Sequence, residues 1–430
     1  MGIFVLEVII MAILIIYGLN VGGAIGGGSF ALFGMLLMVF IFRLPPGNMP
    51  IDAILIILAI GISGGVLERS GGVDYLVSVA GKLIKRWPKS VTFIAPLIVF
   101  AFVFGVGTSN IALALEPIIA ETAMDAGIRP RRPLITSVFA ANFGLLCSPA
   151  AAATAYIISM LSVHGLTMGR YMQITIPTAI IAIICLSIFE SLVGNHGISD
   201  HEFVAKVTAK KQATVKAAFS RKEKSAAGLF LLGVLAILIL GVFPELQPQW
   251  VIAGKLVKLT TTQIVMMLMF TSAAGNLLIS RINPKDIFKS RICTAAIGAL
   301  LAVMGPGWLG STIFGNANNL KLIKWAVGPA IHSSMWVMVI IIMLVASLVM
   351  SQAATSAIVF PIALSLGVTP LFLVAVMQAL NTNFVIPAQP TILFAEDVDT
   401  TNSTHKYGFI IPGFFIVLIS FVAGILMIHL

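Results

Sequence analysis

Two short polar stretches interrupt long apolar runs of this chain: Gly107-Thr108-Ser109-Asn110 and Ser351-Gln352-Ala353-Ala354-Thr355. Their hydroxyl and amide groups can donate hydrogen bonds to a carboxylate, or coordinate a cation through their oxygens. A helix that is interrupted also exposes N-terminal N–H groups, which together with the helix dipole favour anions. The two stretches therefore predict a binding site for a small polar solute inside an apolar environment.

The landmarks that follow each stretch are the same and come in the same order. Each is followed by a proline, a Gly-x-x-Pro turn and an Asn-Phe-x5-Pro segment. Matching landmarks lie 240 to 244 positions apart: Pro117 and Pro361, Pro130 and Pro370, Asn142 and Asn383, Pro149 and Pro390. Four ordered matches indicate an internal duplication. Duplicated halves that enclose a midplane site are common in secondary transporters.

The residues that we predict to bind the solute come from both halves. The first half supplies Thr108, Ser109, Asn110, Ser148 and Pro149, and the second supplies Ser351, Gln352, Thr355, Asn383, Pro387 and Thr391. Asn381 and Gln389 are further polar residues of the second interruption. The alternative reading is purely structural, because Ser, Thr and Gly in membrane helices often serve only close helix packing.

Glu116 stands in the apolar run that follows the first polar stretch. An intramembrane acid is costly and is by default a functional candidate. It could accept a proton for coupling, or it could cap or pair structurally. Asn142 and Asn381 are the other candidates for coupling. Since the predicted spans carry no Lys or Arg near their middle, an anionic substrate would be held by neutral donors and helix ends.

Composition defines the class of protein. Of 430 residues, 59% are hydrophobic and 10% are charged, against about 25% charged in soluble domains. The net charge of +10 is explained by basic cytoplasmic loops rather than by nucleic-acid binding. The chain has no P-loop, no metal-ligand spacing of Cys or His, and no nucleophile–base pattern. We therefore expect no enzyme, no metal site and no cofactor, although a coupling proton or sodium ion is compatible with the pattern.

The apolar runs predict an all-α polytopic membrane protein with about 10–12 transmembrane helices, arranged as two inverted repeats with broken helices or hairpins. The repeats are predicted over 1–194 and 226–430, joined by a basic cytoplasmic linker over 195–225. Helices are expected at 3–19, 23–42, 51–68, 90–106, 151–163, 172–194, 226–244, 261–280, 292–304, 333–350 and 407–429, with broken segments at 107–150 and 351–391.

Loop charges predict the orientation. The linker holds seven basic residues between Lys206 and Lys224, which places it in the cytoplasm. Helix-by-helix counting then puts the basic stretch from Lys82 to Lys89 inside and its counterpart at 308–332 outside, as inverted halves require. Both termini are predicted to be periplasmic.

Several short motifs, taken together, resemble the A/B branch of the Dcu family of anaerobic C4-dicarboxylate transporters over nearly the whole chain. They are Gly47-Asn48-Met49-Pro50, Gly71-Gly72-Val73-Asp74-Tyr75-Leu76, Gly107 to Asn110 with Pro117 to Glu121, Arg132-Pro133-Leu134, Ser148-Pro149, Ser351 to Thr355, Pro387, Pro390-Thr391 and Ile411-Pro412-Gly413. The resemblance implies a bacterial inner-membrane carrier that exchanges fumarate, succinate, malate and aspartate. It further implies a homodimer, an elevator-type division into scaffold and transport domain, and, in some members, partnership with a sensor histidine kinase.

Two departures from the family pattern bear on function. The lysine expected after the second polar stretch in sensing members is absent, which argues against the kinase partnership. Glu116 stands where the family has an apolar residue, which opens proton coupling. The alternatives are a dicarboxylate sensor that does not transport, and a carrier of another small solute coupled to protons or sodium.

Overall fold

The computed structural model describes residues 2–193, 218–252, 255–326, 334–387 and 389–430. The first half is entirely helical, with α1 (Gly2–Phe40), α2 (Ile51–Arg69), α3 (Gly72–Arg86), α4 (Val91–Val106), α5 (Asn110–Asp125), α6 (Arg131–Cys147), α7 (Ala152–Ser162) and α8 (Met168–Val193). A short 3-10 turn, Pro88–Ser90, leads into α4.

The described part of the second half is also mainly helical. Its helices are α9 (Arg221–Val242), α10 (Thr261–Ser280), α11 (Arg291–Phe314), α12 (Ala317–Ala326), α13 (Trp336–Val349), α14 (Gln352–Ser365), α15 (Pro370–Ala375), α16 (Pro390–Val398) and α17 (Ile410–His429). The 3-10 segments are Pro244–Leu246, Pro284–Lys289, Met377–Phe384 and Lys406–Phe409. One antiparallel hairpin, β1 (Gln249–Ile252) with β2 (Lys255–Lys258), lies between α9 and α10.

Helix α1 is a helical hairpin rather than one straight rod. Gly22 and Gly23 leave the helical region, and Gly23 has a φ of 55°. Beyond this turn the chain folds back, because a Cβ atom on Gly34 would lie 3.1 Å from a methyl group of Leu14. At about 1.5 Å per residue, a straight helix would separate these positions by roughly 30 Å. The two separate helices predicted here are therefore present, joined by a glycine turn.

The described residues contain nine helices that are long and apolar enough to cross a membrane, with α1 counted once. The chain is therefore an all-α polytopic membrane protein, as predicted. Helices α13 and α14 and the segment 370–384 are apolar but shorter. Helices α5 and α14 and the segment 370–384 fall in the stretches predicted as broken, whereas α13 corresponds to the helix predicted at 333–350.

Helices α2 and α11 pack against each other in opposite directions. At one end, the Glu68 carboxylate accepts hydrogen bonds from the backbone N–H groups of Arg291 (3.0 Å) and Ile292 (2.9 Å). At the other end, the N–H of Gly47, which precedes α2, donates to Thr312 Oγ1 at 2.9 Å. Glu68 thus caps the start of α11 from the end of α2, so the start of each helix lies beside the end of the other.

Helices α4 and α6 run side by side in the same direction. A Cβ atom on Gly144 would lie 3.1 Å from the Phe100 carbonyl oxygen, and Ser148 Oγ, just past α6, donates to the Phe104 carbonyl at 2.6 Å. Because α5 connects these two parallel helices, it must run back between them. Helices α4 and α5 therefore form a re-entrant hairpin, whose tip is the first polar stretch.

The second half contains the equivalent arrangement. The rings of Trp336 and Phe372 lie 5.9 Å apart, and Ser347 Oγ donates to the Thr382 carbonyl at 3.0 Å. Helix α13 and the segment 370–384 are therefore parallel, so α14 runs back between them. The tip of this second hairpin is the second polar stretch.

The boundaries differ from the predicted ones mainly at turns. Helix α11 continues ten residues beyond the predicted end at 304, because Pro306 is accommodated inside it. Helix α9 begins at Arg221, inside the predicted linker, where Ser220 and Glu223 form a capping box. Residues 195–217 of that linker lie outside the described residues.

We expect Glu68→Ala to lower the stability of the protein. The change removes a charged acceptor from two backbone N–H groups at the start of α11, a loss of about 2 kcal/mol or more. Thermal unfolding of the purified protein in detergent should show a fall of several degrees in midpoint, with a smaller fall for Glu68→Gln.

The matched control is Asp286→Ala. Asp286 pairs with Lys289 at 2.8 Å on the surface, and exposed pairs of this kind contribute little. Equal midpoints for Glu68→Ala and Asp286→Ala would contradict the capping role of Glu68.

Candidate functional site

A cavity of about 260 Å³ lies where the tips of the two re-entrant hairpins meet. One wall is apolar and comes from the antiparallel pair α2 and α11. The opposite wall consists of the polar interruptions of both halves. No charged side chain is found among the described residues that line the cavity: Ile57, Ile60, Gly61, Val106 to Ser109, Leu145, Ala150 to Ala153, Ile292, Ala295, Ala296, Ala299, Met350 to Ala353, Asn383 and Gln389.

Four helices begin at this cavity. The residues that immediately precede α5, α7, α14 and α16 are Ser109, Ala151, Ser351 and Gln389, and all four line the cavity. Each helix therefore directs its N-terminal N–H groups and the positive end of its dipole toward the same space. Two of the helices come from each half of the chain.

The four N-termini differ in how far their N–H groups are occupied. Ser351 Oγ accepts a hydrogen bond from the Ala354 N–H at 3.3 Å. Within the described structure, Ser109, Ala151 and Gln389 form no side-chain cap on their helices. At the start of α5, the Asn110 N–H donates to Thr108 Oγ1 at 3.3 Å and the Ala112 N–H to the Ser109 carbonyl at 2.9 Å. At the start of α16, Pro390 has no N–H and the Ile392 N–H donates to the Gln389 carbonyl at 3.0 Å. The first turn of α7 therefore offers the largest set of N–H groups to a bound anion.

An amide network joins the two halves behind the cavity. Asn142 and Gln389 bond reciprocally, with Asn142 Nδ2 to Gln389 Oε1 at 3.0 Å and Gln389 Nε2 to Asn142 Oδ1 at 2.9 Å. Gln352 Nε2 donates to the Asn142 carbonyl at 3.1 Å and also to Asn381 Oδ1. Asn381 Nδ2 in turn donates to Gln378 Oε1 at 2.6 Å. This amide network fixes the orientation of Gln352 and Gln389, two of the three amides that line the cavity.

The first hairpin tip is held close to the start of α7. Gly107 has a φ of 73°, and a Cβ atom there would lie 1.9 Å from the Ala150 carbonyl oxygen. Ser148 Oγ bridges the same region, because it donates to the Phe104 carbonyl and accepts from the Ala150 N–H at 3.1 Å. Only glycine satisfies both the left-handed conformation and the close approach.

Of the predicted binding residues, the cavity lining includes Thr108, Ser109, Ser351, Gln352 and Asn383. It does not include Asn110, Ser148, Pro149, Thr355, Pro387 or Thr391. Ser148 serves the backbone, as described above. Thr355 lies one turn into α14 and Thr391 lies at the start of α16, and their hydroxyl oxygens are buried without a hydrogen-bond partner among the described residues.

The three residues predicted for coupling occupy different surroundings. Asn142 and Asn381 belong to the amide network. Glu116 is buried in α5, outside the cavity lining, with 1% of its surface exposed. The described residues contain no group of three or more His, Cys, Asp or Glu that could hold a metal ion.

Gln389 and the backbone at Ala151 were not selected from the sequence, although both line the cavity. A signal for Gln389 was present, because Pro390 directly follows it and proline is favoured at the first position of a helix. No comparable signal marks Ala151, whose contribution is a helix start rather than a side chain.

A second cavity, of about 620 Å³, follows the first along α2 and α7. Asp52 of α2 and Ser159 and Ser162 of α7 line it, and Lys258 of β2 stands on its wall. Because α2 and α7 also line the first cavity, the two spaces lie in succession along the same pair of helices.

Two re-entrant hairpins whose tips meet in an uncharged, donor-rich cavity within a bundle of apolar helices define a polytopic membrane carrier of the secondary-transporter class. A family model described as anaerobic C4-dicarboxylate membrane transporter matches residues 3–430. The chain belongs to that family, which confirms the resemblance seen in its motifs.

Three characterised relatives are similar over nearly their full length. The C4-dicarboxylate transporter DcuA of Escherichia coli K12 is 32% identical over 95% of both chains. The anaerobic C4-dicarboxylate transporter DcuB of Escherichia coli O6:H1 is 30% identical over 98% of this chain and 97% of its own. The C4-dicarboxylate transporter DcuA of Wolinella succinogenes is 29% identical over 98% of both.

We expect Gly107→Ala to abolish substrate binding or proper assembly of the cavity. The added methyl group would collide with the Ala150 carbonyl, and relief of that collision must displace the hairpin tip from the start of α7. Ligand-induced thermal stabilisation of the purified variant, measured with fumarate and with succinate, should disappear.

The control is Gly127→Ala. Gly127 has a φ of 70°, but a Cβ atom there meets nothing within 4 Å. Both variants carry the same left-handed strain, about 1 kcal/mol, so the difference between them isolates the contact with Ala150. Equal thermal stabilisation by ligand in both variants would contradict the claim that the cavity depends on the close contact between Gly107 and the Ala150 carbonyl.

Proposed function

We propose that this protein is a secondary transporter that exchanges C4-dicarboxylates across the bacterial inner membrane by alternating access. The observation that carries the proposal is the convergence of four helix N-termini on one cavity that has no charged lining residue among those described. Membership of the C4-dicarboxylate transporter family and the names of the relatives point to the same substrate class.

The cavity suits a molecule with two carboxylates. The starts of α5 and α7 come from the first half and the starts of α14 and α16 from the second, so each half can bind one carboxylate. Hydrogen bonds from Ser109, Ser351 and Asn383 would supplement the backbone donors. Because no Lys or Arg compensates the charge, binding stays weak enough for release on the other side, which transport requires.

The two walls of the cavity suggest how access alternates. The polar wall belongs to the hairpins and broken helices, whereas α2 and α11 present only apolar and small residues such as Ile57, Gly61 and Ala296. In an elevator mechanism the polar side carries the substrate along such an apolar scaffold. The antiparallel packing of α2 and α11, which are repeat mates, supports inverted halves.

The second cavity supports an access path from one side of the membrane. With the linker in the cytoplasm, helix counting places the β1–β2 hairpin and Lys258 outside, at the mouth of that cavity. A cation there would attract dicarboxylates toward the site.

The same helix counting, with the linker in the cytoplasm, would put both termini in the periplasm. The homodimer and the sensor kinase remain predictions, and the missing lysine argues against the kinase.

The test of this function is counterflow in proteoliposomes. Vesicles loaded with succinate should take up labelled fumarate or aspartate faster than empty vesicles, and monocarboxylates should not compete. Absence of stimulation by internal succinate would exclude exchange. Binding without flux would indicate a sensor, and competition by cations would indicate a carrier for a different solute.

We expect the double variant Ser109→Ala with Asn383→Ala to reduce exchange roughly tenfold or more, since two hydrogen bonds to a charged ligand contribute at least about 1 kcal/mol each. Initial rates of labelled fumarate uptake against internal succinate measure the loss. The matched double control is Asn20→Ala with Ser29→Ala. Both residues are exposed on α1 and bond only to carbonyl groups of their own helix. Unchanged exchange in the Ser109 and Asn383 variant would exclude this site.

A further inference from the structure

Glu116 is a buried carboxylic acid that the binding cavity does not use. It lies in α5 with 1% of its surface exposed. Neither of its carboxylate oxygens has a hydrogen-bond partner among the residues that the structure describes. An ionised carboxylate without partners is strongly unfavourable in such a place. The side chain is therefore compatible with these surroundings as the neutral, protonated acid.

The duplication provides an internal control for a purely structural role. Ser109 and Ser351 immediately precede α5 and α14, so Glu116 and Ile358, each seven residues further on, occupy equivalent positions. Ile358 is buried, with 7% of its surface exposed. An apolar side chain is therefore sufficient for packing at this position of a hairpin. Packing alone does not explain why α5 has a carboxylic acid there.

The charged residues on neighbouring elements do not neutralise Glu116. Helix α5 packs against α3, α4, α6, α16 and the turn at 88–90. Two basic side chains on these elements pair with other acids: Lys85 contacts Glu121 at 3.0 Å, and Arg131 contacts Glu190 at 3.7 Å. The other charged side chains of α5 and these elements are Asp74, Lys82, Arg86, Lys89, Asp125, Arg132, Glu396 and Asp397, and none of them bonds to either Glu116 oxygen.

The ligand that fits this group is a proton rather than a metal cation. A bound cation such as Ca²⁺ takes six to eight oxygen ligands, usually with several carboxylates among them, whereas the described residues contain no group of three or more His, Cys, Asp or Glu that could hold a metal ion. A carboxyl group that binds one proton needs no further ligands.

We propose that Glu116 is a proton-binding site that moves with the first hairpin, so that a proton is carried together with the substrate. Glu116 lies six residues beyond the start of α5, roughly 9 Å along the helix from the cavity at ~1.5 Å per residue. One rigid helix would therefore hold the substrate at its N-terminus and the proton on its flank. The proton would bind the carboxylate on one side of the membrane and leave it when the hairpin reaches the other. This inference rests on the proposed transport function.

The test is accumulation of labelled succinate in proteoliposomes that contain a pH-sensitive dye and no internal substrate. For the wild type we expect proton entry with substrate, and a change in the accumulation ratio of about tenfold per unit of pH gradient if one proton moves per substrate. Glu116→Gln, which imitates the protonated side chain, should retain exchange against internal succinate but lose both responses.

Glu121→Gln is the matched control, because Glu121 lies on the same helix but already pairs with Lys85. This variant should keep both proton entry and the dependence of accumulation on the pH gradient. Two results would overturn the proposal: no proton entry with the wild type, or proton entry that persists in Glu116→Gln. Succinate exchange by the wild type is measured in the same vesicles. If that exchange is absent the transport function fails, whereas exchange without proton entry refutes only the role of Glu116.

Discussion

The structure depends on one constraint: an interrupted helix inside a membrane must still satisfy the backbone N–H groups at its new end. Here four such ends meet in a single cavity, where Ser351 accepts a hydrogen bond from the start of α14 and Thr108 accepts one from the start of α5. In a closed apolar core, N–H groups without partners would lower the stability of the fold. Placed together around a space without charged lining residues, they form a site that a dicarboxylate can complete. Under the proposed function, the interrupted helices, the cavity and the binding of an anion therefore have one physical origin.

Keeping four helix ends together requires a rigid frame, and the frame is built from groups other than the donors themselves. The reciprocal bonds between Asn142 and Gln389 tie the broken helix of one half to that of the other. Gly107 permits the first tip to approach the Ala150 carbonyl. At the second tip, Met350 occupies the same left-handed region, with a φ of 52°. A residue with a side chain is tolerated there, so the demand for glycine comes from the contact and not from the turn.

How much the sequence could predict follows from the same physics. Apolar length and period identify spans, and breakers identify interruptions, so the membrane class and both polar stretches were recognisable. The composition of a stretch does not reveal which side of it faces a cavity. Ser148 and Thr355 have the same chemistry as Ser109 and Ser351, yet one bonds to a backbone carbonyl and the other lies within α14. Ala151 contributes a helix end, which no side-chain pattern marks. The placement of the segment 370–384, which includes α15, beside α13 depends on long-range packing that the local sequence does not reveal.

The two halves share the backbone conformations that their chain reversals need, and they differ in some of their side chains. In each hairpin the first helix ends at a left-handed residue, Gly107 or Met350. The second helix of each is followed by a left-handed glycine, Gly127 or Gly367, because each reversal of the chain needs that conformation. Glu116 and Ile358 break the symmetry at equivalent positions of the two hairpins. Under the proposed proton coupling this difference has a physical reason, because one protonatable group is enough to couple one proton to the substrate. The second hairpin then needs no acid at this position, and an apolar side chain serves packing there.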